Sequence, residues 1–285
     1  MRAALLVGTV GLLTVGLSGC SVGRTFRGFG WPEHGVTEQA HQMYNLWIGS
    51  VVAALAVGVF VWGLIFWCVV RFRKRGDELP PQVRYNLPIE ALYTVAPFLI
   101  IAVLFYYTAV TETFVNKVDD RTPPAVTVDV LAFRWNWKFT YPGERDNAGE
   151  VIETTGTADV VPVLVVPTHE RIRFVETSAD VIHSFWVPEM LFKRDVIPGV
   201  TNQFEVTVDR EGAYVGRCAE LCGTYHSMMN FEVRAVTSAQ YDQFLALRRS
   251  GLSNTEALAT MLPDTRGLAT QTSPFVGKPD TAPAN

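Results

Sequence analysis

The hydrophobic and polar positions divide the chain into three long apolar runs followed by a region of alternating residues. The first run, 3–17, follows a single arginine and is shorter than the roughly 20 residues of a membrane span, so it predicts the core of a secretory signal peptide. The runs 46–70 and 91–110 are long enough to cross a bilayer. We therefore predict a transmembrane helical hairpin over 46–115. The basic stretch 71–75 between the helices indicates a cytoplasmic loop, with both outer ends of the hairpin outside.

Alternating apolar residues characterise the chain from 116 to 250 and predict half-buried strands. The alternating sets are Val126, Val128 and Val130; Ile172 and Phe174; Phe204, Val206 and Val208; and Phe231, Val233 and Ala235. Several short strands without amphipathic helices between them indicate a largely antiparallel sandwich or barrel. A short helix, 238–249 with Ser238 as its N-cap, should close this domain. Small residues, proline and threonine then predict a flexible tail over 251–285.

Composition narrows the class of protein. Charged residues make up 18% of the chain and hydrophobic residues 48%, which suits a protein that lies partly in lipid. The net charge is −4 and no long basic run is present, so a nucleic-acid partner is excluded. Four cysteines are too few for a disulfide scaffold. The fold class is therefore a membrane-anchored all-β protein.

The end of the first apolar run resembles the lipobox of bacterial lipoproteins. It reads Leu17-Ser18-Gly19-Cys20, and in lipoproteins cleavage before such a cysteine leaves it as a lipidated N-terminus. We expect 1–19 to be a signal peptide, Cys20 to be lipidated, and 20–45 to be an exported segment. An ordinary cleavage site and an uncleaved anchor are the alternatives.

Candidate metal ligands are concentrated in twelve residues near the end of the alternating region. Cys218, Cys222, His226 and Met229 supply two thiols, an imidazole and a thioether. Soft sulfur donors with imidazole favour copper or zinc, and a thioether favours copper. A second imidazole should come from another strand, for which His183 is the natural candidate. His34, His41 and His169 lie in polar surroundings and are expected to be solvated.

Three chemistries remain open for the two cysteines. An exported domain permits a disulfide, but a disulfide gives no reason for the following histidine and methionine. A mononuclear blue-copper centre would use Cys222 and leave Cys218 idle. Two thiolates can instead bridge two copper ions and share one electron between them, which predicts an electron relay. Protons compete with metal for such ligands, so copper binding should weaken on acidification.

At these residues the chain resembles subunit II of the haem-copper cytochrome c oxidases. The family motif C-x-E-x-C-x3-H-x2-M after an upstream histidine is present at every position, and the resemblance runs from about Tyr44 to Val236. It implies a cupredoxin-like sandwich with a dinuclear CuA centre. The implied copper ligands are His183, Cys218, the Glu220 backbone carbonyl, Cys222, His226 and Met229. The Glu220 side chain is similar to the family's ligand for a magnesium or manganese ion shared with subunit I.

Two further residues gain a role from the resemblance. By the period-two rule Trp135 and Trp137 share one face of a strand, which by itself indicates core packing. The resemblance implies that Trp135 receives the electron from cytochrome c. Glu90 at the cytoplasmic start of the second helix could simply lie at the interface. Together with Tyr93, Thr94 and Pro97 it matches the pattern E-x2-[WY]-T-x2-P, which implies the mouth of a proton-uptake route into subunit I.

The resemblance thus implies a respiratory oxidase subunit in the bacterial cell membrane, with the N-terminus and copper domain outside. It would accept electrons from cytochrome c, soluble or membrane-bound, and pass them to the haem and CuB centre of subunit I, where O2 is reduced to water and protons are translocated. Subunit I, other oxidase subunits and membrane lipid are the implied partners. A quinol oxidase subunit would lack the copper ligands. A membrane-anchored lipoprotein that stores or delivers copper would need neither Glu90 nor Trp135.

Overall fold

The computed structural model describes residues 35–79 and 81–262. The expected signal peptide and lipidation site at Cys20 lie outside the described residues. Residues 42–114 form one compact unit, and the described residues on either side of them form a second. The first unit overlaps the segment 46–115 predicted as a helical hairpin, and the second contains the segment 116–250 predicted as the exported domain.

The first unit is built on two helices, α1 (Glu38–Arg71) and α2 (Leu87–Val115). Within the described residues these are the helices long and apolar enough to cross a membrane. Large apolar side chains along them stay exposed, as at Phe60 (66%), which is the pattern of surface that lipid or partner subunits cover. Helix α1 begins eight residues before the apolar run, so the last part of the expected segment 20–45 is helical. The apolar pattern marks the stretch that needs a hydrophobic environment, whereas the helix continues until a residue breaks it.

The second unit is a β-sandwich, as predicted. Over the described residues its strands are β1 (Val126–Phe133), β2 (Asn136–Arg145), β3 (Val151–Thr155), β4 (Val163–Pro167), β5 (Arg171–Ser178), β6 (His183–Val187), β7 (Phe192–Val196), β8 (Asn202–Thr207), β9 (Gly212–Cys218) and β10 (Asn230–Val236). One sheet has the order β3-β2-β1-β5-β8 and the other β4-β10-β9-β6-β7. The pairs β1–β5 and β4–β10 are parallel, and the other pairs are antiparallel. The largely antiparallel character is therefore confirmed.

Aromatic side chains fill the space between the two sheets. Phe174 and Phe204 stack at 4.9 Å between ring centroids, and Phe185 and Phe231 stack at 4.6 Å. Trp137 is fully buried against Phe231 at 5.1 Å. Because these rings come from both sheets, their burial holds the sandwich closed and fixes the strands that carry the candidate ligands.

The C-terminal end of the domain departs from expectation in two ways. Helix α3 (Ser238–Arg249) forms as predicted, but its N-cap is Thr237, whose side chain accepts from the Gln240 backbone N–H. A further helix, α4 (Asn254–Met261), occupies part of the expected flexible tail 251–285. It forms because Ser253 and Glu256 make a capping box, and because Ala257 packs into the core. The flexible tail is thus corrected at 254–261, and residues beyond 262 lie outside the described part.

Candidate metal centre

Strand pairing assembles the candidate metal centre from two separate parts of the chain. Cys218 ends β9, and the loop 219–229 connects it to β10. His183 begins β6, which pairs with β9 so that Phe185 lies opposite Cys218. The pairing therefore brings His183, 35 residues upstream, next to Cys218.

The donor atoms form a nearly symmetric series about the two sulfurs. The His183 Nδ1 atom lies 3.9 Å from Cys218 Sγ, which lies 3.8 Å from Cys222 Sγ, which in turn lies 3.5 Å from His226 Nδ1. The Glu220 backbone oxygen lies 3.2 Å from Cys218 Sγ, and Met229 Sδ lies 3.8 Å from Cys222 Sγ. Each sulfur thus has one imidazole and one further donor beside it. All six donors predicted from the sequence are brought together.

The geometry distinguishes between the chemistries left open for the cysteines. A disulfide needs an S–S distance of about 2.05 Å, and the two sulfurs here are 3.8 Å apart. A mononuclear blue-copper centre would leave Cys218 without a role, yet its sulfur adjoins both His183 Nδ1 and the Glu220 oxygen. A donor set of two thiols, two imidazoles, a thioether and a carbonyl fits a pair of soft metal ions, and copper best among them.

The centre is shielded from solvent, which affects its protonation. His183 and Met229 are fully buried, and Cys218 and Cys222 are nearly so. Burial, and next the neighbouring Cys218 thiol, raise the pKa of the Cys222 thiol to about 12. A metal ion must therefore displace a proton to bind here.

Asp180 orients the buried imidazole. Its Oδ1 atom lies 2.8 Å from His183 Nε2. Burial opposes ionisation of Asp180, but hydrogen bonds from His183 and from the backbone N–H groups of Arg134 and Val181 lower its pKa to about 2. An ionised carboxylate only accepts, so Nε2 carries the proton and Nδ1 is left free toward the sulfurs.

Trp135 lies in a turn, and its predicted place on a strand face beside Trp137 is wrong. Phe133 pairs with Asn136, so Arg134 and Trp135 form a two-residue connection between β1 and β2. Trp135 packs edge-on against Tyr225 (centroids 5.0 Å apart) and its Nε1–H donates to the Cys222 carbonyl at 3.2 Å. The period-two rule fails here because it applies only within a continuous strand.

Trp137 is the core residue of the pair. It is fully buried, and its Nε1–H donates to the Met229 carbonyl at 3.3 Å. Both indoles therefore donate to backbone carbonyls of candidate copper ligands, one from the surface side and one from the core side.

Gly223 allows this close approach of Trp135 to the loop. Its φ is +123°, and a Cβ there would lie 3.2 Å from two atoms of the Trp135 ring. Glycine adopts this backbone conformation without a steric penalty. The glycine thus permits both the turn of the ligand loop and the contact.

Glu220 divides its functions between backbone and side chain. Its carbonyl points to Cys218, whereas the residue as a whole is exposed. Among the described residues the metal-competent grouping of His, Cys, Asp and Glu side chains is His183, Cys218 and Cys222, and Glu220 is not part of it. Any ion at the Glu220 carboxylate would need further ligands from outside this grouping.

Glu90 lies in the first turn of α2, in the other unit. Its Oε1 atom accepts from the Asn86 backbone N–H at 2.8 Å. The carboxylate therefore caps the helix, a role that sequence position alone did not indicate. Thr94 donates its hydroxyl to the Glu90 carbonyl one turn further on.

Sequence reasoning missed Asp180, Gly223 and Tyr225. Asp180 had a readable signal, because an acid three residues before a candidate histidine ligand can reach its second nitrogen. Of the other histidines, His41 pairs with Asp209 at 3.0 Å, and His34 lies outside the described residues.

Comparison with known proteins gives concordant findings. Residues 126–236 match the family model described as cytochrome C oxidase subunit II, periplasmic domain. The chain is 45% identical to the probable cytochrome c oxidase subunit 2 of Nocardia farcinica, with 96% of this chain and 88% of that protein covered. It is 43% identical to the cytochrome c oxidase subunit 2 of Mycobacterium tuberculosis, with 96% and 89% covered. Among solved structures it is similar to the periplasmic domain of subunit II of cytochrome oxidase from Bradyrhizobium japonicum, at 28% identity and a TM-score of 0.40, covering 46% of this chain and 99% of that one.

Proposed function

The chain belongs to the cytochrome c oxidase subunit II family, and from that premise we propose that its sandwich holds a dinuclear CuA centre at the six donors described above. The ligands are His183, Cys218, the Glu220 carbonyl, Cys222, His226 and Met229. When bound, the copper pair supplies a site that takes up and releases one electron at a time. The chain is a transmembrane oxidase subunit with a periplasmic domain, and its part in the reaction is electron transfer.

One observation carries the proposal: each thiol adjoins its own imidazole and its own additional donor. A site for one metal ion would not need this duplication. The chain orients the donors before metal arrives, through the Asp180 contact with His183 and the pairing of β6 with β9. Preorganised ligands of this kind keep reorganisation small when the charge of the site changes.

Trp135 is proposed as the residue through which electrons arrive from cytochrome c. Support comes from its partial exposure and from its hydrogen bond to the Cys222 carbonyl. An indole ring that is hydrogen-bonded to the backbone of a proposed copper ligand offers a short route for an electron from the surface to the metal. Tyr225 holds the indole in that orientation.

Glu90 is proposed as the proton-uptake group at the cytoplasmic mouth of a route into subunit I. Its support is the family pattern and its place next to the basic loop, on the membrane side opposite the copper domain. Electrons and protons would then reach the oxidase from opposite sides. The haem and CuB centre of subunit I would reduce O2 to water.

Three finer features complete the proposal. The exposed Glu220 carboxylate would bind magnesium or manganese together with ligands from subunit I, since hard cations prefer oxygen donors. Cys20 would carry lipid. The cytochrome c donor would be soluble or membrane-bound.

Nearby acids bear on how that donor docks. Glu144 pairs with Arg249, and Glu153 pairs with Lys138 at 3.1 Å. Five acids along this stretch, Glu144, Asp146, Glu150, Glu153 and Asp159, could present a negative patch to a basic donor. The two ion pairs reduce the net charge of that patch, so we expect modest electrostatic steering of a basic donor.

The test uses the full-length protein in detergent after copper reconstitution, with EPR and metal analysis. Wild type should bind about two copper ions per chain and show one electron delocalised over both. Cys218→Ser and Cys222→Ser should each abolish that signal, because either change removes a bridging sulfur. Cys68→Ser, a cysteine exposed on α1, is the matched control and should change nothing. Full copper content and an intact signal in either loop variant would refute the proposal.

The same measurement separates the copper-storage alternative. A storage or delivery protein would release copper readily and would show no delocalised pair. It would also be insensitive to substitution of Trp135.

A further inference from the structure

A second polar site lies inside the sandwich at Glu176, outside the candidate copper ligands. Glu176 is on β5, where Ile172, Phe174 and Glu176 form the inward-facing row. Its side chain is fully buried, and its strand neighbours in register are Val130 and Asn202. A carboxyl group therefore occupies a position in the core that the pattern of the strand assigns to an apolar residue.

Neither carboxyl oxygen of Glu176 has a hydrogen-bond partner among the described residues. The positive charge of Arg194 on β7 lowers the pKa of Glu176. The buried Nε of Arg194 also lacks a hydrogen-bond partner among the described residues. The two groups attract each other but are too far apart for a direct hydrogen bond. The negative charge of Asp195, also on β7, raises the pKa of Glu176.

Such a pair is costly if left dry. A buried polar group without a partner costs about 1 to 3 kcal/mol, and charged groups cost more. Most buried polar atoms in folded proteins are satisfied by protein or by ordered water. Three polar atoms on two neighbouring side chains therefore favour a further hydrogen-bonding group between them.

We propose that ordered water occupies the space between Glu176 and Arg194 and bridges them. A water molecule accepts from the guanidinium and donates to the carboxyl, so one molecule satisfies both groups. An added cation would be repelled by Arg194, and an added anion would be repelled by Asp195, which lies near Glu176 on β7. Neutral water fits both sides of the site.

The Arg194 side chain extends from the site toward the surface. Arg194 Nη2 donates to Asn116 Oδ1 at 2.6 Å, and Asn116 is exposed just after α2. The guanidinium therefore spans from the interior to solvent. We therefore expect water in the site to exchange with bulk along this side chain without unfolding of the sandwich, and the Glu176 carboxyl proton to exchange with that water.

The direct test is a structure of the full-length protein at a resolution that shows ordered solvent. We expect a water molecule within hydrogen-bond distance of both Glu176 and Arg194. A direct contact between the two side chains, or an empty space between them, would overturn the proposal.

Infrared difference spectra on exchange from H2O to D2O give an independent readout. Wild type should show a carboxyl carbonyl band that shifts rapidly, and Glu176→Gln should lose that band while the copper signal stays unchanged. Glu232→Gln is the matched control, because Glu232 is equally buried but pairs directly with Arg234. A Glu176 band that exchanges only as slowly as global unfolding would contradict hydration of the site.

Discussion

At the scale of single residues, Trp135 and Trp137 lie two positions apart in the chain and have distinct environments. Trp135 joins the surface to the Cys222 carbonyl, whereas Trp137 joins the aromatic core to the Met229 carbonyl. The ligand loop is thus held from two sides by indole N–H groups. Substitutions at the two positions should have separable effects.

Trp135→Phe should slow electron uptake and leave copper in place. The substitution removes the hydrogen bond to the Cys222 carbonyl and with it the proposed electron route, but it removes little buried volume. We expect turnover with cytochrome c to fall by about tenfold or more, which corresponds to an increase in activation free energy of at least about 1.4 kcal/mol. Trp137→Phe, the matched control, should instead destabilise the domain by about 2 kcal/mol through a lost buried hydrogen bond and a cavity. Steady-state turnover, copper content and melting temperature check both. Unchanged turnover of Trp135→Phe would exclude its proposed role.

Gly223→Ala should weaken copper retention. The backbone strain at φ +123° costs about 1 to 3 kcal/mol, and the new Cβ would press on the Trp135 ring. Gly199→Ala separates the two effects, because Gly199 also has a positive φ (+75°) but open space around it. Copper release to a chelator should be faster in Gly223→Ala than in wild type and unchanged in Gly199→Ala. Equal release rates would show that the contact with Trp135 has no effect on the loop.

Glu90 can be tested with two substitutions that separate capping from proton uptake. Glu90→Gln keeps an oxygen that accepts from the Asn86 N–H but cannot carry a proton, whereas Glu90→Ala loses both functions. We expect both variants to slow steady-state turnover of the assembled oxidase at unchanged copper content. If Glu90→Gln turns over like wild type and only Glu90→Ala is slow, the residue acts as a helix cap alone.

At the scale of elements, helix α4 shows how a capping box can start a helix in a segment whose apolar residues have little helical periodicity. Ser253 accepts from the Glu256 backbone N–H, and the Glu256 side chain returns the contact. Ser253→Ala should destabilise the domain by about 1 kcal/mol. Thr260→Ala, at an exposed position near the other end of the same helix, should have a smaller effect. Thermal unfolding measures both, and equal shifts would mean that the capping box contributes nothing.

The elements that could be predicted are those whose signal is local. The strands were predictable from alternation. Four of the six proposed ligands, Cys218, Cys222, His226 and Met229, lie within twelve residues, so their types and spacing indicated metal. The Glu220 carbonyl was implied only by the family resemblance. The turn at Arg134 and Trp135 was not predictable, because neither residue belongs to the Asn-Gly type that marks two-residue hairpins. Helix α4 had a readable capping signal at Ser253 and Glu256, but the small residues around it indicated a tail. The contact of Asp180 with His183 depends on side-chain direction, which spacing does not specify.

At the scale of the whole molecule, Glu176 should make stability depend on pH. Burial raises its pKa well above the usual range, while Arg194 opposes this and Asp195 adds to it. The folded state therefore keeps a proton that the unfolded chain releases near pH 4. The stability from this group is fully present below that pH and is lost as pH rises toward the raised pKa.

Glu176→Gln removes this dependence. The variant should gain stability relative to wild type as pH rises above about 4, by up to about 1.4 kcal/mol per pH unit within the window. Glu211→Gln removes the same charge from an exposed position and should follow the wild-type curve. Melting temperatures between about pH 4 and about pH 8 decide this; parallel curves for wild type and Glu176→Gln would contradict the argument.

The position of β9 between β6 and β10 has a consequence for biogenesis. A nascent chain that has formed only the β9–β10 hairpin presents the sulfurs and one imidazole, but His183 arrives only when β6 adds to the growing sheet. Without His183, a partly folded chain would hold an incomplete set of the proposed copper ligands. The proposed ligand set is complete only after β6 has paired with β9. Full copper occupancy would therefore require a completed sheet, and a factor that inserts copper could distinguish folded from partly folded domains by this site alone.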